Sequence, residues 1–501
     1  MPASVNVWII VETTVDNQRD EAQAGFSIGS QRIAMIRPTF VCGLIAVAAV
    51  ATASAEDFPL TFHNIAAKDV VTFPGGYGIF GQLRLVKPAK LEKEPDAVSR
   101  HPLYGECRDT ATGAGFEFRL DESKGDGKGY DQLIVDMNHN GDLGDDAPAP
   151  LVDLPRDRKA SSMAERQKLF GPISAPGAKL VAGGQPVYFA EVYVNELGSL
   201  LRSGQKTESI YAGYLRLKAG WYVDTTVELS GLKQKVGMFD ADSNFQLGDR
   251  QNSKTYRAAG EEESWYFAGG DSFLIDADHS GAFERDVFDT ENCSIGPVLY
   301  FGATPYKVAL TPDGNSLRVE RWTEPLAEVA LQPHGEQVCC VTLAWEQPNK
   351  EWQLVRAAAA AGKIKVPPGN YRLYQCELLG KGASADQVQA AAYHYAIREP
   401  FAFSADKAGT LRCGAPLEIK VTAEKRVPQS WELNSGDLRN PRLASDSEFV
   451  LTINAEVQGA GGELYRQYAK GDQLKAEPPQ PTFTVADGNG TKVGSGKLEF
   501  G

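Results

Sequence analysis

Three short segments of the chain carry oxygen-bearing side chains at every second position. They are Asp136-x-Asn138-x-Asn140-Gly141-Asp142-Leu143, Asp240-x-Asp242-x-Asn244-Phe245-Gln246-Leu247 and Asp276-x-Asp278-x-Ser280-Gly281-Ala282-Phe283. A hard cation such as calcium takes about six to eight oxygens. A tight loop presents them as side chains at positions 1, 3 and 5 and a backbone carbonyl at position 7, with glycine at position 6 for the turn. The carbonyls at position 7 belong to Asp142, Gln246 and Ala282, and an apolar residue follows each at position 8.

The spacing resembles the EF-hand type of calcium loop over about a dozen residues in each case. The resemblance is incomplete, because position 12 is Ala147, Gln251 or Val287 where a bidentate carboxylate belongs. The carboxylates able to stand in are Asp145 or Asp146 in loop one, Asp249 in loop two, and Glu284 or Asp286 in loop three. The competing reading is a metal-free turn, since Asp and Asn make Asx-turns and close hairpins unaided. Gly at position 6 favours calcium in loops one and three. Phe245 occupies that position in loop two and makes it the weakest candidate. Loops two and three are expected to form one paired unit. The acidic turns at Asp313 and Asp487 lack the full ligand set and read as hairpins.

The segments feeding the loops, "QLIV", "VGMF" and "SFLI", read as strands, so the helix opening of EF-hand sensors does not carry over. Period-two segments dominate elsewhere: "FEFRL" (116–120), "YAGYLRLKAG" (211–220), "SLRVERW" (316–322), "VCCVTLAW" (338–345), "YRLYQCEL" (371–378) and "FVLTINAEV" (449–457). With Gly- and Pro-rich turns between them, they predict a mainly β protein of several β-sandwich-like domains. Helix is expected to be scarce. "SSMAERQKLF" (161–170) is the clearest candidate, and "VRAAAAAG" and "ADQVQAAAYHYAI" are open between helix and strand. Composition breaks suggest β-domains at 56–158, 176–321, 322–404 and 405–501, the last Ig-like.

Before these lies a segment with the marks of export. Arg37, an apolar run from Phe40 to Val50 and Ala53-Ser54-Ala55 read as a signal peptide over 35–55, and residues 1–34 as a disordered upstream extension. The apolar run is too short to span a bilayer, so the mature chain is expected to be extracellular, at the cell surface or periplasmic. Six cysteines follow it, an even number that permits disulfides without choosing among pairings. A formal net charge of −14 argues against nucleic acid as a partner and suits cation binding.

Catalytic signatures are missing. Gly76-x-Gly78-x-x-Gly81 is followed by the alternating "QLRLV" instead of the helix that a dinucleotide site needs. No HExxH or GxxxxGK[ST] occurs, and the single GxSxG, Gly25 to Gly29, lies in the upstream extension. At larger scale, "DESKGDGKGYDQLIVDMNHNGDLGDD", "VGMFDADSNFQLGDR", "PPGNYRLY" and "FTVADGNGTKVGSGKLEFG" are similar to a group of large, secreted, uncharacterised bacterial β-proteins with Asp/Asn-rich loops. That resemblance implies export and calcium and adds no activity. The expected function is therefore calcium-dependent structure or binding, with glycans or other cell-surface proteins as the partner classes. The alternative is a carbohydrate-binding or carbohydrate-active protein in which Trp221-Tyr222 or Trp265-Tyr266 faces the sugar.

Overall fold

The computed structural model describes residues 8–12, 55–71, 73, 78–108, 115–125, 129–153, 167–174, 181–195, 210–229, 231–250, 252–256, 264–268, 270–276, 279–283, 291–379, 388–393, 400–427, 450–468, 482–486 and 491–497. The protein is mainly β, and the one helical element among the described residues is the 3-10 turn Gly335–Gln337. The chain divides into two compact units, residues 53–476 and a smaller one made of 1–52 with 477–501. In the smaller unit Trp8–Glu12, Thr482–Ala486 and Lys492–Lys497 form a three-stranded antiparallel sheet. Trp8–Glu12 lies in the segment expected to be a disordered extension.

The large unit begins with an eight-stranded sheet. Its order is Gln132–Val135, Gly115–Asp121, Leu103–Arg108, Ile79–Leu83, Gly213–Ala219, Val187–Val194, Gln167–Ser174 and Leu151–Val152. The edge strands meet through a bridge between Leu133 and Ala149, so the sheet is nearly closed. Period-two alternation explains the closure: in "IFGQL" Ile79, Gly81 and Leu83 are buried while Phe80 and Gln82 are exposed. Leu83, Phe116, Phe118, Leu133, Tyr188 and Leu215 fill the interior, each fully buried. The residues expected to be helical at 167–170 are strand here, because Leu169 and Phe170 face this core. Loop one (136–150) connects the two edge strands and forms the seam of the barrel.

A five-stranded sheet packs on the barrel in the order Asn292–Ser294, Ser272–Ile275, Leu232–Phe239, Trp221–Leu229 and Thr61–Asn64. A four-stranded sheet of Leu299–Phe301, Thr304–Leu310, Ser316–Arg321 and Glu56–Pro59 joins the same core. That core runs from Leu60 to Val319, so the boundary expected near 155–180 falls inside one sheet and one core. Likewise, Glu418–Arg426, Val450–Gln458 and Leu464–Tyr468 share one sheet with Val338–Glu346 and Gly369–Leu379, joining most of the last two expected domains. The open segments at 352–358 and 388–393 are strands. All six cysteines after residue 55 are free thiols. No helix among the described residues is long and apolar enough to cross a membrane.

Candidate metal centre

Each acidic loop starts where a strand ends, after Gln132–Val135, Leu232–Phe239 and Ser272–Ile275 respectively. Positions 4 and 6 share one backbone conformation in all three. Position 4 is left-handed at His139 (φ 58°), Ser243 (φ 55°) and His279 (φ 60°), and position 6 at Gly141 (φ 76°), Phe245 (φ 71°) and Gly281 (φ 85°). The first aspartate folds over its loop and accepts the position-6 N–H, from Gly141 at 2.8 Å, Phe245 at 3.3 Å and Gly281 at 3.0 Å. The position-8 side chains Leu143, Leu247 and Phe283 pack into cores.

Phe245 is the exception to the glycine rule, and its packing explains it. A non-glycine residue in this region costs about 1–2 kcal/mol. The ring of Phe245 packs edge-on against Tyr188, 4.7 Å between centroids, and lies 6.0 Å from Phe116. Both partners face the barrel interior, so burying the ring there offsets the backbone cost. The residue that weakens loop two as a motif is the one that seats it on the barrel.

Antiparallel pairing decides what surrounds loop two. Phe239 is paired with Ser272, which places Asp240 beside Asp271 at one end of the strand pair and Asp276 at the other. Loops two and three therefore do not form a paired unit, and Asp271, a residue of neither motif, enters the site. Asp240, Asp242 and Asp271 are buried, and their carboxylate oxygens lie within 4.8 Å of one another. Among the described residues, no other group of three His, Cys, Asp or Glu converges so closely, and this group could hold a metal ion.

Backbone N–H groups orient the cluster. Asp271 accepts from Ala241 at 3.2 Å and from Gly248 at 2.5 Å, tying down both ends of the loop. Asp242 accepts from Gly270 at 2.6 Å, and Asp240 accepts the Tyr188 hydroxyl at 2.7 Å. The Asn244 amide donates to Asp249 Oδ2 at 3.1 Å, while Asp249 Oδ1 is buried without a hydrogen bond. Burial is the first cause that pushes Asp240 and Asp271 well above the ordinary carboxylate range. For Asp240 the charge of Asp242 comes next, and for Asp271 the charges of Asp240 and Asp249. At an effective dielectric of about 20, two charges about 5 Å apart repel by about 3 kcal/mol. The cluster therefore holds either protons or a cation. Gln246 is exposed, and its N–H is bonded to Asn244 Oδ1 at 2.9 Å.

Loop one repeats the pattern at the surface. Asp136 is buried, whereas Asn138 and Asn140 are exposed, and both of their amides donate to Asp145, at 3.3 and 2.8 Å. Asp142 turns away from the loop centre toward Gly144 N–H (2.9 Å) and Lys93 (3.3 Å), so only its carbonyl is free to serve as a ligand. Asp146 has one buried oxygen without a hydrogen bond, and burial followed by the charge of Asp136 raises its pKa to about 6. Both stand-ins for the missing Ala147 ligand therefore converge on the loop, Asp145 through the asparagines and Asp146 beside Asp136.

Loop three is described only in part. Asp276 is buried with Oδ1 unbonded, and Ser280 and Ala282 are exposed, while Asp278, Glu284 and Asp286 lie outside the described residues. Lys235 donates to the Gly281 carbonyl at 2.8 Å and lies 5.1 Å from the Phe283 ring centre. A fixed ammonium at that point works against a second cation.

The pair Trp221-Tyr222 does not form a sugar platform. Trp221 is 1% exposed in the core, and Tyr222 is half-buried between His63 and Phe73. The side chains of Trp265 and Tyr266 lie outside the described residues. Asp271 and Tyr188 are the site residues that motif reading misses. Pairing the strand before Asp240 with the strand after Asp271 would have found the first; no local signal marks the second.

No protein-family model, curated protein or solved structure matches the chain.

Proposed function

We propose that the chain is an exported calcium-binding structural or binding protein, in which loop two with Asp271 is the principal ion site and loop one a weaker second. The observation that carries this reading is the convergence of Asp240, Asp242 and Asp271 within 4.8 Å in a buried position. Carboxylates this close in the protein interior are stabilised together by a cation. The donors are all oxygen, from aspartate, asparagine and backbone carbonyls, which suits a hard ion and disfavours zinc or copper. Magnesium needs a stricter octahedron and retains its waters, whereas a loop offering this many carboxylates suits calcium. Export through residues 35–55 supplies the calcium-rich surroundings that this role requires.

Bound calcium would stabilise the folded chain by mass action, by about 2.7 kcal/mol at a hundred times Kd. It would do so where loop two joins the five-stranded sheet to the barrel. The test is terbium luminescence on the full chain. Tyr188, hydrogen-bonded to Asp240, is placed to sensitise the ion. Calcium should displace the terbium, and Asp240→Ala should abolish the emission sensitised through Tyr188. A melting midpoint unmoved by millimolar calcium, with no sensitised terbium emission, would overturn the assignment.

A further inference from the structure

The sheet that holds Val338–Glu346 ends in a strand whose pattern the ion loops do not use. Among the described residues Glu418–Arg426 is the last strand of that sheet, paired along its 9 residues with Val450–Gln458 and without a bulge. Its other side presents a row of N–H and C=O groups with no strand beside it. Both faces are open as well. Glu418, Lys420, Thr422 and Glu424 are exposed on one, while Leu417 and Ile419 on the other are 39% and 41% exposed. Val427, just past the strand, is 78% exposed, more than any other large apolar side chain among the described residues. Apolar side chains gathered at one exposed place mark a contact surface.

Natural edge strands are guarded by lysine, by proline within the strand or by a bulge. This one has neither proline nor bulge between 418 and 426, and its charges alternate in sign through Glu418, Lys420, Glu424 and Arg426. Pro416 and Pro428 bracket it, so a pairing ladder would stop at both ends. Within the sheet Lys420 lies opposite Glu456, and among the described residues no ion pair engages Glu418, Lys420 or Glu424.

We infer that this edge pairs with the same edge of a second copy of the chain, antiparallel about a two-fold axis at Thr422. In that register Lys420 meets Glu424 of the second copy, Glu418 lies opposite Arg426, and Leu417 lies opposite Val427. The two-fold axis repeats each pairing, as in any isologous contact. Lys420 then stands between Glu456 and the second copy's Glu424. Other registers set like charges against each other, which destabilises a strand pair. A shift of two residues puts Glu418 opposite Glu424 in one direction and Lys420 opposite Arg426 in the other. Parallel pairing in register puts every charge opposite itself. The partner is a second copy because the complement of this strand is the strand itself read backwards. The inference does not depend on ions in the loops.

The experiment is sedimentation equilibrium of the full chain at concentrations up to about 100 μM, over which it should pass from monomer to dimer. Lys420→Glu and Glu424→Lys, both at exposed positions, each turn two attractive pairs into repulsive ones. Each should weaken dimerisation at least about tenfold. An equimolar mixture of the two variant chains should recover the dimer, because each offers the charge that the other lacks. The mixture also controls for strand damage, since Lys420→Glu brings a carboxylate opposite Glu456. A chain that stays monomeric at about 100 μM overturns the proposal, as does a dimer that both single variants leave intact. Loss of the dimer in both variants without recovery in the mixture overturns it too.

Discussion

Loops one and two have the same spacing of donors, the same two left-handed residues and the same fold-over of the first aspartate, yet they differ in depth. Loop one closes the barrel seam at the surface, with Asn138 and Asn140 exposed and Lys93 beside Asp142. Loop two lies between barrel and sheet, with Asp240 and Asp271 fully buried. The difference teaches that a shared local grammar sets the shape of such a loop, while its surroundings set the charge that it gathers. The better glycine pattern belongs to the loop at the surface, and the buried loop gathers a carboxylate, Asp271, from the start of a neighbouring strand.

The largest test of this contrast removes that carboxylate. Asp271→Ala should weaken ion binding at loop two by about 100-fold and leave loop one unchanged, read by terbium titration against Asp136→Ala. An equal effect from Asp142→Ala would break the contrast, because that side chain faces Lys93.

The next effect is on pH, measured as melting midpoint in chelator. Asp240, Asp271 and Asp146 have folded pKa values raised above the unfolded ones, chiefly by burial. The ion-free folded state therefore binds more protons than the unfolded state, and stability falls as pH rises from the ordinary carboxylate value through the raised one. For loop one the window runs from 3.8 to about 6, and for loop two it runs upward from 3.8. Calcium should flatten this loss, with its largest stabilisation at neutral pH or above. A midpoint that rises steadily between pH 4 and 7 without calcium would contradict the burial of uncompensated acids.

Backbone swaps sharpen the comparison at smaller scale. Gly141→Ala should destabilise by about 2 kcal/mol in a urea melt, since φ is +76° and the added carbon would meet the Lys90 carbonyl oxygen at 2.6 Å. Phe245→Gly relieves the same strain but removes a packed ring, for a net loss of about 1 kcal/mol. Smallest of all is Lys93→Ala at loop one. The ammonium is largely exposed, so the cost should stay under about 0.5 kcal/mol and vanish in high salt.

The strands before the loops were legible because short apolar runs end there at an aspartate, and Gln132–Val135, Leu232–Phe239 and Ser272–Ile275 all formed as strands. The turn at Asp313 was legible too. Thr311 N–H donates to Ser316 across it, and Gly314 is left-handed, as a hairpin requires. The domain cuts were not, because composition changes at 155–180 say nothing of the strands on either side pairing into one barrel. The last four residues of the helix expected at 161–170 are strand on tertiary grounds, since Leu169 and Phe170 have partners across the sheet, and 161–166 lie outside the described residues.

By itself the sequence determined a mainly β chain and three loops of one shape, because side-chain period and turn chemistry act over a few neighbouring residues. Tertiary structure alone decided which loop concentrates charge. Asp240 and Asp271 are 31 positions apart in the chain, and only the antiparallel register of Phe239 with Ser272 brings their carboxylates together, away from water.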